Sequence, residues 1–178
     1  MNDLSPITDI TKPDERNLYF VVTDAGGKAR KLSLKDIYAE VSRIQLHEGV
    51  PAHIIEHFSQ ARYLSVYSWF HYPFNVTSQF MGFVSVEYAL KTKSGTKKHF
   101  RALIREAVDK KWISDSGFTI AKHREGNHDK SYVETLVEVM PNLRNSLAHG
   151  SNMLHNNSIS SLLICAEFIN QLFEQPAG

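Results

Sequence analysis

The chain has 178 residues, 42% of them hydrophobic and 22% charged, with a formal net charge of +1 at pH 7. That length suits one domain, or one domain with a small appendage, and the composition is ordinary for a globular protein, so disorder is not the default and no low-complexity tract is present. The single Cys165 excludes an intramolecular disulfide and a multi-cysteine zinc site. With no secretory-type leader and no apolar run of about 18 residues, the expectation is a cytoplasmic protein that does not enter a membrane.

Taken in chain order, residues 1–16 read as a loose polar leader. Leu18 to Val22 is a β-type run, Asp24-Ala25-Gly26-Gly27 is a turn signal, and Lys28 to Leu34 alternates weakly, which predicts a short hairpin. Ser33 followed by Asp36 predicts a capped helix toward His47, ended by Gly49. Pro51 suits the first turn of a second helix reaching about Tyr72, apolar on most sides and therefore expected to be central. Val76 to Lys91 carries Val76, Phe80, Phe83, Val84 and Leu90 on one side at helical spacing. Thr96 to Trp112 sets Phe100, Leu103, Ile104, Ala107 and Val108 on one stripe, beside Lys97, Lys98, Arg101 and Arg105. Residues 113–130 read as a polar loop. From Ser131 to His149 the stripe is Val133, Leu136, Val137, Met140, Leu143 and Leu147, with Pro141 as a kink and Gly150 as the terminator. Ile159 to Phe173 is apolar almost all round, which suits either a deep position or a second face against a partner chain. The pattern predicts an all-α chain: residues 1–34 as leader and β-hairpin, residues 35–178 as an up-and-down helical bundle.

Charge is unevenly spread. Residues 91–111 hold eight basic side chains against two acidic ones, which reads either as a phosphate footprint or as a solvated helix face. Two charges also sit where the periodicity calls for apolar groups. Glu87 falls in the stripe of the Val76–Lys91 helix, and Arg144 in the stripe of the Ser131–His149 helix. A charge facing a core is costly unless paired or wetted, so the two are expected to meet across a helix contact beside a cleft, or to form a plain buried ion pair. His149 follows Arg144 by five residues, about 140° around a helix axis, so the pair shares a site only if the helix end bends or a second subunit brings another copy. A helix C-terminus favours the protonated imidazole that an acid catalyst needs. Metal ligation by His53 and His57, or by His123 and His128, is the weaker reading, since no third ligand is evident and the order departs from the metalloprotease pattern.

The string Leu143-Arg144-Asn145-Ser146-Leu147-Ala148-His149-Gly150 resembles the signature of the HEPN superfamily, all-helical domains with an arginine, a following polar residue and a histidine four to six positions on. Ser85-Val86-Glu87-Tyr88-Ala89-Leu90-Lys91 is similar to the glutamate-bearing helix of several HEPN branches. The resemblance covers about residues 58–173 and implies a metal-independent endoribonuclease, often a toxin or antiviral factor, acting as a homodimer on RNA without a cofactor. It assigns His149 as acid or base for attack by a ribose 2′-hydroxyl, and Arg144 as the phosphate clamp. Asn145 orients the phosphate or the histidine, and Glu87 positions Arg144. Lys97, Lys98, Arg101 and Arg105 would track the RNA backbone. The alternative the resemblance leaves open is a non-catalytic module for nucleotide binding or for a protein partner such as a cognate antitoxin.

Overall fold

The computed structural model describes residues 4, 6–24, 26–122, 130–150 and 158–174. Strands β1 (Val21–Thr23) and β2 (Ala29–Lys31) precede helices α1 (Leu34–Arg43), α2 (Ala52–Tyr67), α3 (Phe74–Ser94), α4 (Phe100–Asp109), α5 (Thr119–Lys122), α6 (Tyr132–Ala148) and α7 (Ser158–Phe173). The chain is mostly helical with one two-stranded antiparallel hairpin, as the pattern predicts. No helix of the described residues is long and apolar enough to cross a membrane.

Local chemistry explains most boundaries. Asp24 accepts from the backbone N–H groups of Gly26 and Lys28, both at 2.9 Å, and Gly27 turns the hairpin at φ +79°. At the start of α1 the Asp36 carboxylate accepts from the Ser33 N–H at 2.8 Å, and Arg30 of β2 grips it through both guanidinium nitrogens. The Arg30 fork, with the Ser33 hydrogen bonds, holds the Asp36 carboxyl well below its ordinary range. Asp115 caps α6 by accepting from the N–H groups of Tyr132 and Val133, both at 2.9 Å.

The centre of the bundle is α3, not α2 as the run of apolar residues before Tyr72 suggests. It packs most extensively on α2 and α7 and also touches α4 and α6. Its buried face differs from the predicted one. Phe83 and Leu90 are buried, but Val76, Phe80 and Val84 are half-buried, and Asn75, Ser78, Gln79, Gly82 and Ser85 lie inside instead. These polar groups are satisfied in a seam between helices. Ser158 Oγ donates to Asn75 Oδ1 at 2.7 Å, Gln79 Nε2 to Ser161 Oγ at 2.6 Å, and Ser78 Oγ to the Ala61 carbonyl at 2.8 Å. Gly82 lets α7 come close: a Cβ there would lie 3.0 Å from Leu162 Cδ2 and 3.3 Å from Cys165 Sγ. Of the two placements open to α7 it takes the deep one, with Leu162, Cys165, Ala166, Phe168 and Ile169 buried.

Three further expectations change. The end of the leader is tied down: Asp14 N–H donates to the Trp69 carbonyl at 2.8 Å, Asp14 Oδ2 accepts from Tyr72 N–H at 2.9 Å, and residues 15–19 form a 3-10 turn. Residues 113–130 are not simply a polar loop, because Phe118 is fully buried against Tyr132 and Phe168, at ring separations of 5.1 and 6.2 Å. The helix predicted from Thr96 starts at Phe100, because Gly95 ends α3 in the left-handed region (φ +67°) and His99 caps α4. Lys97 and Lys98 therefore stand in the linker rather than on the helix. A second, smaller cluster of Ile37, Val41 and Trp69 joins α1 and the hairpin side to the end of α2.

Candidate functional site

The last two turns of α6 lie at the margin of the core: residues 142–150 are all half-buried or exposed, with Leu147 packed against the core and Leu143, which the stripe placed inside, exposed. Arg144 leaves this segment toward α3, and its Nη2 donates to Glu87 Oε2 at 2.9 Å. Glu87 is nearly buried, and its other oxygen accepts from Lys91 Nζ at 2.7 Å, one helical turn along α3. Arg144 Nη1 also donates to Asn145 Oδ1 at 3.2 Å, while Arg144 Nε is buried without a hydrogen-bond partner among the described residues. Three predicted residues, Glu87, Arg144 and Asn145, are thus brought together. Glu87 orients both cations at once.

This ion pair is the wall between two clefts. One, of about 270 Å³, is lined by Glu87, His99, Phe100, Arg101, Pro141, Arg144 and Asn145. The other, of about 440 Å³, lies among α2, α3 and α6 and is lined by His57, Val84, Glu87, Tyr88, Lys91 and Arg144. A guanidinium and an ammonium share one carboxylate on the wall of this cleft, and their N–H groups are of the kind that pair with phosphate oxygens.

His149 is placed elsewhere. It caps α6 with its N–H on the Asn145 carbonyl at 3.0 Å, Gly150 follows at φ +84°, and the exposed imidazole lines neither cleft. The basic stripe is largely engaged within the chain. Arg101 donates to Glu138 at 2.7 Å and to Asn142 at 3.0 Å, Arg105 to Glu134 at 2.6 Å, and Lys98 to Glu106 at 2.9 Å. These contacts fasten α4 to α6 and to its own linker. Lys97 is exposed, with no ion pair to the described residues.

Arg101, expected on the RNA-binding stripe, does line the smaller cleft, but Lys91 and His57 have no role at this site in the sequence reading. Lys91 was visible as the residue four positions after Glu87. His57 was visible too, but weighed only as a metal ligand. In the fold His57 Nδ1 lies 2.8 Å from Ser85 Oγ, and its ring meets Tyr88 edge-on at 5.5 Å. His53 packs on the same Tyr88 at 5.3 Å. His123 and His128 lie outside the described residues. Among the described residues no group of three His, Cys, Asp or Glu side chains is arranged to hold a metal. Cys165 is fully buried and burial pushes its thiol far up, so it is no nucleophile.

No protein-family model, no curated protein and no solved structure matches this chain. The functional reading therefore rests on the residues themselves.

Proposed function

We propose that the protein is a metal-independent endoribonuclease of HEPN type. Arg144 grips the scissile phosphodiester, and His149 of a second copy of the chain supplies acid–base chemistry. The observation that carries this reading is the Glu87–Arg144 pair. It is neither sealed in hydrocarbon nor free in solvent, but forms the wall of two open clefts, with Lys91 on the same carboxylate. Charge builds on the non-bridging phosphate oxygens as the 2′-oxygen attacks, and preorganised cations stabilise that charge at no reorganisation cost. Glu87 holds the guanidinium in orientation, and Asn145 fixes its second terminal nitrogen.

Within one chain His149 lines neither cleft, so this reading requires its delivery across a two-fold axis. An exposed imidazole at the C-terminal end of α6 suits that role. The test is incubation of single-stranded RNA with protein in EDTA. Wild type is expected to cut, leaving 2′,3′-cyclic phosphate ends, while Arg144→Ala and His149→Ala each lose about a hundredfold or more in rate. Undiminished cutting by both variants would remove the proposal.

A specific observation favours a second reading, a non-catalytic interaction module. Arg101, Arg105 and Lys98 are spent on carboxylates of the same chain rather than left for a phosphate backbone. That reading expects no cleavage and no salt-dependent binding of RNA. Exposed pairs of this kind are worth only about 0–1 kcal/mol and exchange readily, so a polyanion can displace them.

A further inference from the structure

The hydrogen bonds around His57 fix which of its nitrogens is free, on a side chain that lines the Arg144 cleft. Ser85 Oγ lies 2.8 Å from the Met81 carbonyl and 2.8 Å from His57 Nδ1. A hydroxyl has one proton, and a carbonyl can only accept. Both contacts are satisfied together in one arrangement: Ser85 donates to Met81, and His57 Nδ1–H donates to Ser85. The neutral ring then carries its lone pair on Nε2, which has no hydrogen-bond partner among the described residues. Tyr88 holds the ring edge-on from α3, fixing its rotation. His57 lines the same 440 Å³ cleft as Arg144 and Lys91. His53 lies on the same helix but is exposed and does not line it.

Resting on the ribonuclease reading above, we propose that His57 is a second catalytic histidine, whose Nε2 accepts the ribose 2′-hydroxyl proton of an RNA phosphodiester held by Arg144 and Lys91. The 2′-oxygen then bonds to phosphorus as the bond from phosphorus to the 5′-oxygen breaks. The departing electron pair on that oxygen takes a proton from the His149 imidazolium of the second copy. The products are a 2′,3′-cyclic phosphate and a 5′-hydroxyl, and water returns the protons between turnovers. The division of labour follows from position: a ring pinned through Nδ1–H to a hydroxyl presents its other nitrogen as a proton acceptor, and the second copy's His149 is left to serve the 5′-oxygen.

The experiment uses His57→Asn, whose amide can keep the donor to Ser85 while removing Nε2. Other titratable and charged groups facing His57 are Glu87, Tyr88 and Lys91 of α3, Arg144 of α6, and His53 on its own helix. All are kept in the variant. Cleavage by His57→Asn is expected to fall about a hundredfold or more in kcat with KM for RNA little changed, and to lose the acid-side limb of the pH profile. A variant that folds with the wild-type melting curve and cuts at the wild-type rate with that limb intact overturns the proposal. An independent readout separates this failure from failure of the ribonuclease reading: the ring nitrogens of His57, followed by NMR as a non-cleavable 2′-deoxy dinucleoside monophosphate is added. The proposal expects the Nδ1–H tautomer in the free protein and a shift of Nε2 on addition. The opposite tautomer, or a ring unmoved by the dinucleotide, overturns it whether or not RNA is cut. A wild type that shifts Nε2 but cuts nothing overturns the catalytic assignment and leaves a phosphodiester-binding cleft.

Discussion

Because Glu87 holds two cations, removing one of them does not strand it. With Arg144 gone, Lys91 still neutralises the carboxylate at 2.7 Å. Arg144→Ala is therefore expected to cost only about 1 kcal/mol, a fall in Tm of about 2–4 °C for a chain of this size, while activity is abolished. Glu87→Ala removes both bridges and leaves the half-buried guanidinium without its carboxylate, so its cost is expected to be about 2–3 kcal/mol. Thermal melts of the two variants check the order. Equal losses would mean that Lys91 does not hold Glu87 in solution. Asp14 gives a separate prediction. Its carboxyl, although partly buried, which raises it, is pulled down to about 2 by the Arg16 side chain and by the N–H groups of Tyr72 and Arg16. A depressed carboxylate adds stability that is present above its unfolded value of about 4 and is lost as pH falls toward 2. Asp14→Asn is expected to lower the urea midpoint at neutral pH, with the gap to wild type closing between about pH 4 and 2. A gap that persists unchanged at pH 2 would contradict the assignment.

Among the elements, the α3–α7 contact is the tightest constraint on substitution. Gly82→Val would press a branched side chain into Leu162 and Cys165 and is expected to cost about 1–3 kcal/mol. Phe118→Ala removes a fully buried ring that ties the α4–α6 connection to Tyr132 and Phe168, at an expected cost of about 3–5 kcal/mol. Urea unfolding measures both. Phe118 also marks where sequence reading stops. A few apolar residues scattered through a polar stretch have no clear periodicity, and only the tertiary fold decides that Phe118 and Ile113 are swallowed while Ile120 stays exposed. The same limit applied to α3. Helical spacing selects an apolar stripe, yet a helix enclosed by four others buries Ser78, Gln79 and Ser85 as well, once neighbouring helices supply partners. What was legible had a local cause. The Ser33–Asp36 start of α1 and the Gly150 end of α6 were visible in the residues themselves. The Glu87–Arg144 meeting was legible because each charge stood on an otherwise apolar face and needed a partner. His57 was not, because its approach to Ser85 depends on how α2 lies across α3.

For the whole molecule, His149 lines neither Arg144 cleft, so the proposed ribonuclease reaction requires a second copy of the chain. If Arg144 and His57 come from one chain and His149 from its neighbour, two inactive variants must complement each other. Mixing Arg144→Ala with His149→Ala after unfolding and refolding together would pair half of the chains as mixed dimers, each with one of its two sites intact. The account predicts recovery of about a quarter of wild-type RNA cleavage in EDTA. No recovery above the separate variants, from a preparation that has demonstrably exchanged subunits, would contradict it.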